Sequence, residues 1–286
     1  MTGMPDMVRL SETEFRLFRD LIYEHCGIYL PDNLQFLLER RLRPRLKVMG
    51  HDGFRRYYRQ VKYARDGYAE LCEIVERITT NETFFFREEY QLRDFVESVV
   101  PTLLVDREPE EHIKIWSAGC SSGEEPYTLA MILRDSGYTN QFDFEITGND
   151  ISNQVLDKAR LGLYREASFR EMPPDVRQRY FRRDGTRYRI SDDIRDRVIF
   201  EQANLMDSSS LFGLYQLDVI FCRNVMIYFS PSSRRELLKT FLEKLRPGGY
   251  LLLGHSENLV NVSTGFELVP LRRGIVYRRP LEVLRG

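Results

Sequence analysis

The sequence predicts an α/β protein in which a parallel sheet follows a smaller all-helical domain. Apolar residues recur at helical spacing in the first quarter of the chain, and strands then alternate with helices. A glycine-containing loop joins the first of these strands to the first of these helices. At 286 residues, with 42% hydrophobic and 30% charged residues, the chain is long enough for two domains with buried cores.

The N-terminal helices extend from Ser11 to about Arg77. Ser11 and Glu14 have the spacing of a capping box at the start of the first helix. Pro44 is expected to limit the helix that runs through the neighbouring arginines. The predicted bounds are residues 1–88 for the helical domain, 89–111 for a connecting helix and linker, and 112–286 for the sheet domain.

The second part of the chain has the pattern of βαβ units around a parallel sheet. Between Phe181 and Phe200 this alternation breaks, and the residues after Asp184-Gly185 look like one arm of a hairpin. We therefore expect a small antiparallel subdomain inserted at about 164–200. Pro247-Gly248-Gly249 is expected to end the last long helix and turn the chain. Strands are predicted at 113–117, 142–147, 198–202, 217–222 and 250–253, and helices at 124–134, 153–161 and 232–246.

Composition and segment lengths argue against several classes of protein. The longest apolar runs fall far short of the ~20 residues that a membrane helix requires, and the chain opens without a secretion signal. We therefore expect a cytoplasmic protein with no membrane insertion. The four cysteines are scattered without CxxC spacing, so we expect neither a metal site nor disulfides. A net charge of −1 gives the whole chain no bias toward nucleic acid.

One segment is locally basic. Residues 36–65 contain ten basic side chains and two acidic ones. A basic helical face can bind an acidic partner, but a solvated surface or an RNA-binding patch would explain the same charges. The candidate docking residues are Arg40, Arg41, Arg43 and Arg45.

Polar residues follow three of the predicted strands, at the sheet edge where open parallel sheets bind ligands. In the first loop, Gly119 and Gly123 would let a ligand approach the backbone, although tight packing alone also explains them. Glu124 and Glu125 open the next helix. The helix dipole favours acids there, but paired carboxylates would repel a pyrophosphate and attract an ammonium group. This disfavours a dinucleotide-binding dehydrogenase.

The other two strand ends complete a ligand-binding set. Asp150 lies about one βα unit later, where an acid can accept both ribose hydroxyls, although it could instead cap the following helix. Arg223 follows a third strand, and core packing does not explain it. An acid for ribose, acids and backbone groups for an amino-acid zwitterion and apolar walls for adenine match S-adenosylmethionine best.

Five stretches together resemble the chemotaxis receptor methyltransferases called CheR, which methylate receptor glutamates. Their order along the chain is that of the family and covers nearly the whole chain, so the set is far more specific than any single loop. The resemblance implies a helical N-terminal domain followed by a Rossmann-like S-adenosylmethionine-dependent methyltransferase domain with an inserted antiparallel β-subdomain. The stretches are 78–87, 116–128, 149–151, 221–229 and 253–258.

The resemblance also implies the site residues. We further hypothesise that Arg87 and Arg223 orient the substrate carboxylate or the cofactor and that Tyr228 lies close to the sulfonium. Spacing back from Asp150 favours Glu125 over Glu124. From the residues alone, Thr80-Asn81 could cap a helix and Arg87 could be a surface arginine. The implied cofactor contacts are Asn81, Thr83, Arg87, Glu124, Glu125, Asp150, Asn204, Leu205, Cys222 and Arg223.

The resemblance implies methyl transfer from S-adenosylmethionine to glutamate side chains of methyl-accepting chemotaxis receptors, which yields methyl esters and S-adenosylhomocysteine. The implied partner is the receptor's cytoplasmic helical bundle, bound by a monomer without nucleic acid. Some members grip a receptor pentapeptide through the β-subdomain, but the short turn at 182–187 favours tether-independent recognition here. The alternatives are a methyltransferase of another protein or nucleic acid, and a non-catalytic module that senses S-adenosylmethionine.

Overall fold

A computed structural model describes residues 8–105, 107–108, 111–259 and 265–281. The chain divides into two compact units. One unit contains the residues up to Thr80 together with Tyr228–Ser233, and the other contains Asn81–Ile227 and the residues from Arg234 onward. Residues 81–88, which we expected in the helical domain, therefore group with the α/β unit. Residues 106, 109 and 110 of the expected linker lie outside the described residues.

The first unit contains helices Glu12–Cys26 (α1), Gln35–Val48 (α2), Phe54–Tyr63 (α3) and Gly67–Ile78 (α4). The predicted capping box is confirmed, because the side chains of Ser11 and Glu14 each accept a backbone N–H of the other residue. Pro44 does not limit α2 but lies inside it. Leu42 and Leu46 are buried on either side of Pro44, and this packing offsets the backbone hydrogen bond that proline removes.

Aromatic side chains form much of the core of the helical unit. The Phe18 ring lies 5.6 Å from that of Tyr57 and 5.5 Å from that of Tyr58. Hydrogen bonds join the segment Tyr228–Ser233 to this unit. Tyr29 N–H donates to the Tyr228 carbonyl at 2.9 Å, and the Tyr23 hydroxyl lies 3.1 Å from Ser230 Oγ.

The described residues of the second unit form a seven-stranded sheet and a three-stranded one. The strands are Ile113–Ala118 (β1), Phe144–Asp150 (β2), Leu163–Tyr164 (β3), Phe181–Asp184 (β4), Arg187–Ile190 (β5), Val198–Gln202 (β6), Leu217–Cys222 (β7), Leu245–Leu253 (β8), Glu267–Pro270 (β9) and Ile275–Arg278 (β10). The large sheet has the order β6-β2-β1-β7-β8-β10-β9. Its first five strands are parallel, and β10 is antiparallel to both neighbours. The strand order reverses between β1 and β7, and ligands bind at such a switch point.

The remaining helices are Glu89–Asp94 (α5), Val100–Leu104 (α6), Glu124–Asp135 (α7), Asn153–Leu161 (α8), Pro174–Tyr180 (α9), Asp192–Arg195 (α10) and Pro231–Lys244 (α11), with a π-helical turn joining α5 to α6. Helices pack on both faces of the sheet. Ile115 and Val219 share a large core with Leu129 of α7. On the other face, Trp116 packs edge-on against Phe241 of α11. In the described parts of the chain, none of the helices combines the length and the apolar character that crossing a bilayer requires.

The predicted antiparallel insertion is confirmed, since β4 and β5 form a hairpin at Gly185 and β3 pairs with β5. The prediction for Pro247-Gly248-Gly249 was wrong in its geometry. Helix α11 ends at Lys244, and these residues run within β8, where the pairing with β7 shifts register. Gly248 has φ +79°, so glycine supplies the backbone conformation of this irregularity at little cost.

Candidate functional site

The switch point of the sheet brings Glu125 and Arg223 together. Arg223 Nη1 donates to Glu125 Oε2 at 3.0 Å, and Ser117 Oγ donates to Glu125 Oε1 at 2.7 Å. The Arg223 side chain is only 3% exposed. A buried ion pair is seldom more stabilising than apolar packing of similar volume. The charges at this strand end therefore point to a ligand rather than to fold stability.

The two acids that open α7 have different surroundings. The Glu124 carboxylate accepts hydrogen bonds from the hydroxyls of Ser122 at 2.7 Å and Ser168 at 3.1 Å. Burial raises the pKa of Glu124, and these hydrogen bonds offset the shift only in part. Glu124 thus holds the loop in place. Glu125 faces Arg223, so it is the better candidate for a ligand contact, in agreement with the spacing argument.

The glycines of the first loop are explained by packing. Gly119 has φ +76°, and a Cβ there would lie 2.6 Å from Val225 Cγ2. Gly123 has φ +87°, and its Cβ would lie 2.8 Å from Ala159 Cβ. Backbone conformation and close contact therefore account for both residues. The acids, and not the glycines, carry the argument for a ligand.

Asp150 ends β2 and supports the same loop. Its carboxylate accepts the N–H groups of Ser121 at 2.9 Å and Ser152 at 3.0 Å. The alternative that Asp150 caps the next helix is wrong, because Ser152 caps α8 and accepts the Val155 N–H. Asp150 lies at the carboxyl end of the strand beside β1, where acids of such sheets bind ribose hydroxyls. Its contact with a ribose stays a prediction.

Asn81 and Thr83 lie in a non-helical segment of the α/β unit. The Asn81 carbonyl accepts a hydrogen bond from Ser121 Oγ at 3.2 Å, so this segment contacts the glycine loop. The alternative of a helix cap at Thr80-Asn81 is wrong, because the next helix begins only at Glu89. Thr83 is half-buried.

Arg87 and three phenylalanines follow in the same segment. Phe85 is fully buried and stacks on Phe169 at 5.3 Å, which anchors the segment to the core. Arg87 is half-buried, its guanidinium lies 5.4 Å from the centroid of the Phe84 ring, and Nη1 donates to the Glu82 carbonyl at 3.2 Å. These contacts keep Arg87 ordered beside the site.

Strained backbone is concentrated in these segments. Among the described residues, five other than glycine have positive φ, and four of the five are Phe86, Glu88, Ser121 and Asn224. The left-handed conformation costs roughly 1–2 kcal/mol for most residues, so the surrounding structure must hold it. Such outliers are typical of functional sites.

Glu88 and His255 extend the charged cluster, and sequence reasoning missed both. Glu88 Oε2 lies 3.4 Å from Arg223 Nη2, and Glu88 Oε1 lies 2.7 Å from His255 Nδ1. Burial raises the pKa of Glu88, but the charge of Arg223 and the hydrogen bonds from His255 outweigh burial and leave the pKa lowered. Only their positions in the sequence could have indicated these two residues. Glu88 directly follows the stretch 78–87 that resembles the family, and His255 lies within the stretch 253–258.

Glu257, also missed, fixes the loop that carries Arg223. It accepts the backbone N–H groups of Asn224 at 2.7 Å, Ile227 at 3.2 Å and Gly254 at 2.9 Å. Burial raises the pKa of Glu257, and these N–H groups oppose that shift. One carboxylate therefore ties the loop after β7 to the loop after β8.

Three of the seven buried polar side-chain atoms that lack a partner in the described residues lie at or just after the same strand ends. Within the described part of the chain, Asn149 Nδ2, Arg223 Nε and Asn224 Oδ1 make no hydrogen bond. Leaving such a group unpaired costs about 1–3 kcal/mol, which a polar ligand would relieve. Together with Asp150 and Glu125, these atoms fit a ligand that joins a ribose to an amino acid, as S-adenosylmethionine does.

The remaining predicted residues have less informative positions. Asn204 and Leu205 follow β6, and Asn204 Oδ1 accepts the Met206 N–H at 3.1 Å. Cys222 is fully buried at the end of β7, and burial raises the pKa of its thiol well above the ordinary value. Tyr228 belongs to the helical unit. Its place close to the sulfonium stays a prediction.

The four candidate docking arginines on α2 are not equivalent. Arg40 is exposed, whereas the other three are half-buried. Each of these three forms a hydrogen bond or an ion pair within the helical unit, which leaves fewer of its N–H donors for a partner protein. Arg41 Nη1 donates to the Arg77 carbonyl, Arg43 pairs with Glu39, and Arg45 pairs with Glu70.

Comparison with known proteins identifies the family. The family model described as "CheR methyltransferase, SAM binding domain" matches residues 81–275, and "CheR methyltransferase, all-alpha domain" matches residues 13–79. This chain belongs to the CheR methyltransferase family. The two matches meet where the compact units divide, and they confirm both the resemblance and the predicted fold class.

CheR relatives are similar over almost their whole length. Chemotaxis protein methyltransferase 2 of Vibrio cholerae serotype O1 is 38% identical over 95% of this chain and 94% of its own. Chemotaxis protein methyltransferase 1 of Pseudomonas aeruginosa is 36% identical over 94% of this chain and 98% of its own. The chemotaxis protein methyltransferase of Borreliella burgdorferi is 36% identical over 88% and 90%, respectively. These matches include both units of the fold.

Proposed function

We propose that this CheR-family protein transfers a methyl group from S-adenosylmethionine to glutamate side chains of chemotaxis receptors. The observation that carries the proposal is the Glu125–Arg223 pair at the switch point, one strand away from Asp150. A carboxylate and a guanidinium suit the ammonium and carboxylate groups of an amino acid, and Asp150 suits a ribose. The relatives, named as chemotaxis protein methyltransferases, support receptors as substrates.

The proposed mechanism requires little acid–base chemistry. When bound, S-adenosylmethionine supplies an electrophilic methyl group. A substrate glutamate with a pKa of about 4.3 is already ionised at neutral pH, so no general base is needed. Arg87 and Arg223 orient the charged groups, and the role of Tyr228 beside the sulfonium is kept as a hypothesis. Alignment of nucleophile and electrophile contributes roughly 7–11 kcal/mol to such reactions.

The helical unit is the proposed receptor-docking surface. Receptor methylation helices are rich in Glu and Gln, and complementary basic residues would steer them to the enzyme. Arg40 on α2 is exposed, as are Arg55, Arg59 and Lys62 on α3. The three residues of α3 follow helical spacing and share one face. We propose this exposed set, more than Arg41, Arg43 and Arg45, as the contact for the cytoplasmic receptor bundle, bound by a monomer.

The test is transfer of a radiolabelled methyl group to membranes that contain candidate receptors, followed by mild base. We expect label on the receptor that mild base releases, because carboxyl esters are base-labile. Receptors in which the methylated glutamates are replaced by alanine are the matched control and should take up no label. Base-stable label would favour N-methylation. Cofactor binding without any transfer would favour the sensing module.

A further inference from the structure

Arg223 is shared by two carboxylates. Its Nη1 lies 3.0 Å from Glu125 Oε2, and its Nη2 lies 3.4 Å from Glu88 Oε2. Nη2 also donates to the backbone carbonyl of Arg87. A guanidinium presents its donors in a fixed planar fork, so the atoms that face Glu88 and Arg87 cannot at the same time pair with Glu125.

Glu88 is held in this position from two sides. Its backbone is left-handed, with φ 56° and ψ 55°, which a glutamate does not adopt without support. His255 provides that support, because its Nδ1 lies 2.7 Å from Oε1 and its backbone N–H donates to Oε2 at 3.2 Å. The Glu88 side chain is only 10% exposed. Surface charge alone would require neither the conformation nor the histidine.

We propose that Glu88 is a positioning residue for cofactor binding, and that His255 acts through it. By holding one side of Arg223, Glu88 prevents the guanidinium from neutralising Glu125 completely. Glu125 then remains a strong acceptor for the ammonium group of the cofactor. This inference rests on the cofactor assignment of the proposed function, and it adds two residues to which that assignment gives no role.

The affinities for S-adenosylmethionine and S-adenosylhomocysteine distinguish a positioning role of Glu88 from direct attraction between Glu88 and the sulfonium. Both carry the same amino-acid end, but only the first carries a sulfonium charge. A residue that acts through Arg223 and Glu125 changes the affinity for both compounds equally. A carboxylate that merely attracts the sulfonium changes the affinity for S-adenosylmethionine alone.

The experiment is calorimetric titration of the full chain with each compound separately. We expect Glu88→Gln to weaken both affinities by the same factor, about tenfold, which is the scale of one charge-assisted hydrogen bond. Glu89→Gln is the matched control. Glu89 is half-exposed and, among the residues that the structure describes, pairs only with Arg93 at the surface, so its replacement should leave both affinities unchanged. Unchanged binding in Glu88→Gln, or a loss confined to S-adenosylmethionine, would overturn the proposal.

His255→Ala provides a second variant in case Glu88→Gln is poorly folded. The His255 side chain is 63% exposed, so its truncation leaves the core intact. We expect about a threefold loss of affinity for both compounds in the native background and none in the Glu88→Gln background, because residues that act as one unit are not additive. Equal losses in the two backgrounds, or no loss in either, would overturn the role of His255.

The same titrations distinguish the two levels of inference. A native protein that binds neither compound would contradict the proposed function itself. A native protein that binds both and methylates receptors, but whose affinities do not respond to Glu88→Gln, would contradict only the positioning role.

Discussion

Arg223 Nη1 lies 3.0 Å from Glu125 Oε2 although the two residues are 98 positions apart in the chain. The strand order explains this proximity, because β1 and β7 are neighbours. Arg223 directly follows β7, and Glu125 lies in the first turn of α7, after the loop that follows β1. A sheet that added its fourth parallel strand at the other edge would separate the pair. The order of the strands in the sheet therefore brings the residues of the candidate site together.

The first prediction separates the two acids of α7. Glu125→Gln should lower the affinity for S-adenosylhomocysteine about tenfold or more, because it removes the charge from the carboxylate that faces Arg223. Glu124→Gln should leave that affinity within twofold, since its partners are Ser122 and Ser168. Titration calorimetry on both variants measures this contrast. The reverse order of effects would reassign the contact to Glu124.

A second prediction concerns pH and stability. In the folded protein, burial raises the pKa of Glu124 above its ordinary value of 4.5, so the folded state holds this proton to higher pH than the unfolded chain. Its contribution to the free energy of unfolding is therefore greatest below pH about 4.5 and declines as the pH rises through the folded pKa.

Glu124→Gln removes the titrating carboxyl group, and with it the loss of stability that the native protein shows as the pH rises. The variant should gain stability relative to the native protein as the pH is raised from about 4.5 to 8, as measured by urea unfolding at a series of pH values. Ser122 and Ser168 can hydrogen-bond to the amide as well. A difference in stability that does not change with pH would contradict the assignment of a raised pKa.

A third prediction compares two glycines with left-handed backbones. Gly123→Ala should destabilise the fold by about 2–4 kcal/mol, since backbone strain adds to the clash with Ala159. Gly185 also has positive φ, but a Cβ there would meet nothing within 4 Å. Gly185→Ala should therefore cost only about 1 kcal/mol. Chemical unfolding of both variants checks the difference, and equal costs would show that packing at Gly123 does not matter.

The fourth prediction concerns the receptor. Replacing Arg40 and Arg59 together by Glu should weaken binding to receptor-containing membranes about tenfold at low salt and less at high salt, because exposed charges are screened. Cofactor affinity should not change. Arg16→Glu, on the exposed side of α1, is the matched control and should bind normally. Co-sedimentation at two salt concentrations measures all three proteins. Full binding by the double variant would exclude this surface.

The fifth prediction concerns the contribution of Arg45 to the stability of the helical unit. It pairs with Glu70, which is 5% exposed and also accepts the Tyr57 hydroxyl. Arg45→Glu would leave two buried like charges together and should destabilise the protein by about 3–5 kcal/mol. Arg45→Lys keeps the charge and should cost far less. Thermal unfolding distinguishes them, and a stable Arg45→Glu protein would return Arg45 to the docking surface.

Much of the sheet could be predicted because the hydrophobic patterns of strands and helices are visible within short stretches of sequence. The strands at 198–202 and 217–222 and the helix at 153–161 were predicted with the bounds that the structure has. The register irregularity at Gly248 could not be, because it depends on how β8 pairs with β7. Likewise, Pro44 remains helical because of residues packed around it, which no local propensity describes.

The site was predicted in part for a related reason. Glu125, Asp150 and Arg223 lie at or after the ends of predicted strands. The alternation of strands and helices in the sequence was therefore enough to predict that these residues lie at the same edge of the sheet. Glu88 and His255 are 167 positions apart and follow no shared pattern, and the left-handed backbone of Glu88 is also not predictable from local propensity. The charge count on α2 could not show which arginines are already paired, since Glu70 lies 25 positions from Arg45.

The contact between Gly119 and Val225 has a consequence for chimeric enzymes. Because a Cβ at 119 would lie 2.6 Å from Val225 Cγ2, the loop after β1 leaves room for Val225 only while residue 119 has no side chain. An engineer who transplants the loop after β7 from another family member must match the side chain at 225 to the residue at 119. The two positions are thus expected to be inherited and exchanged as a pair.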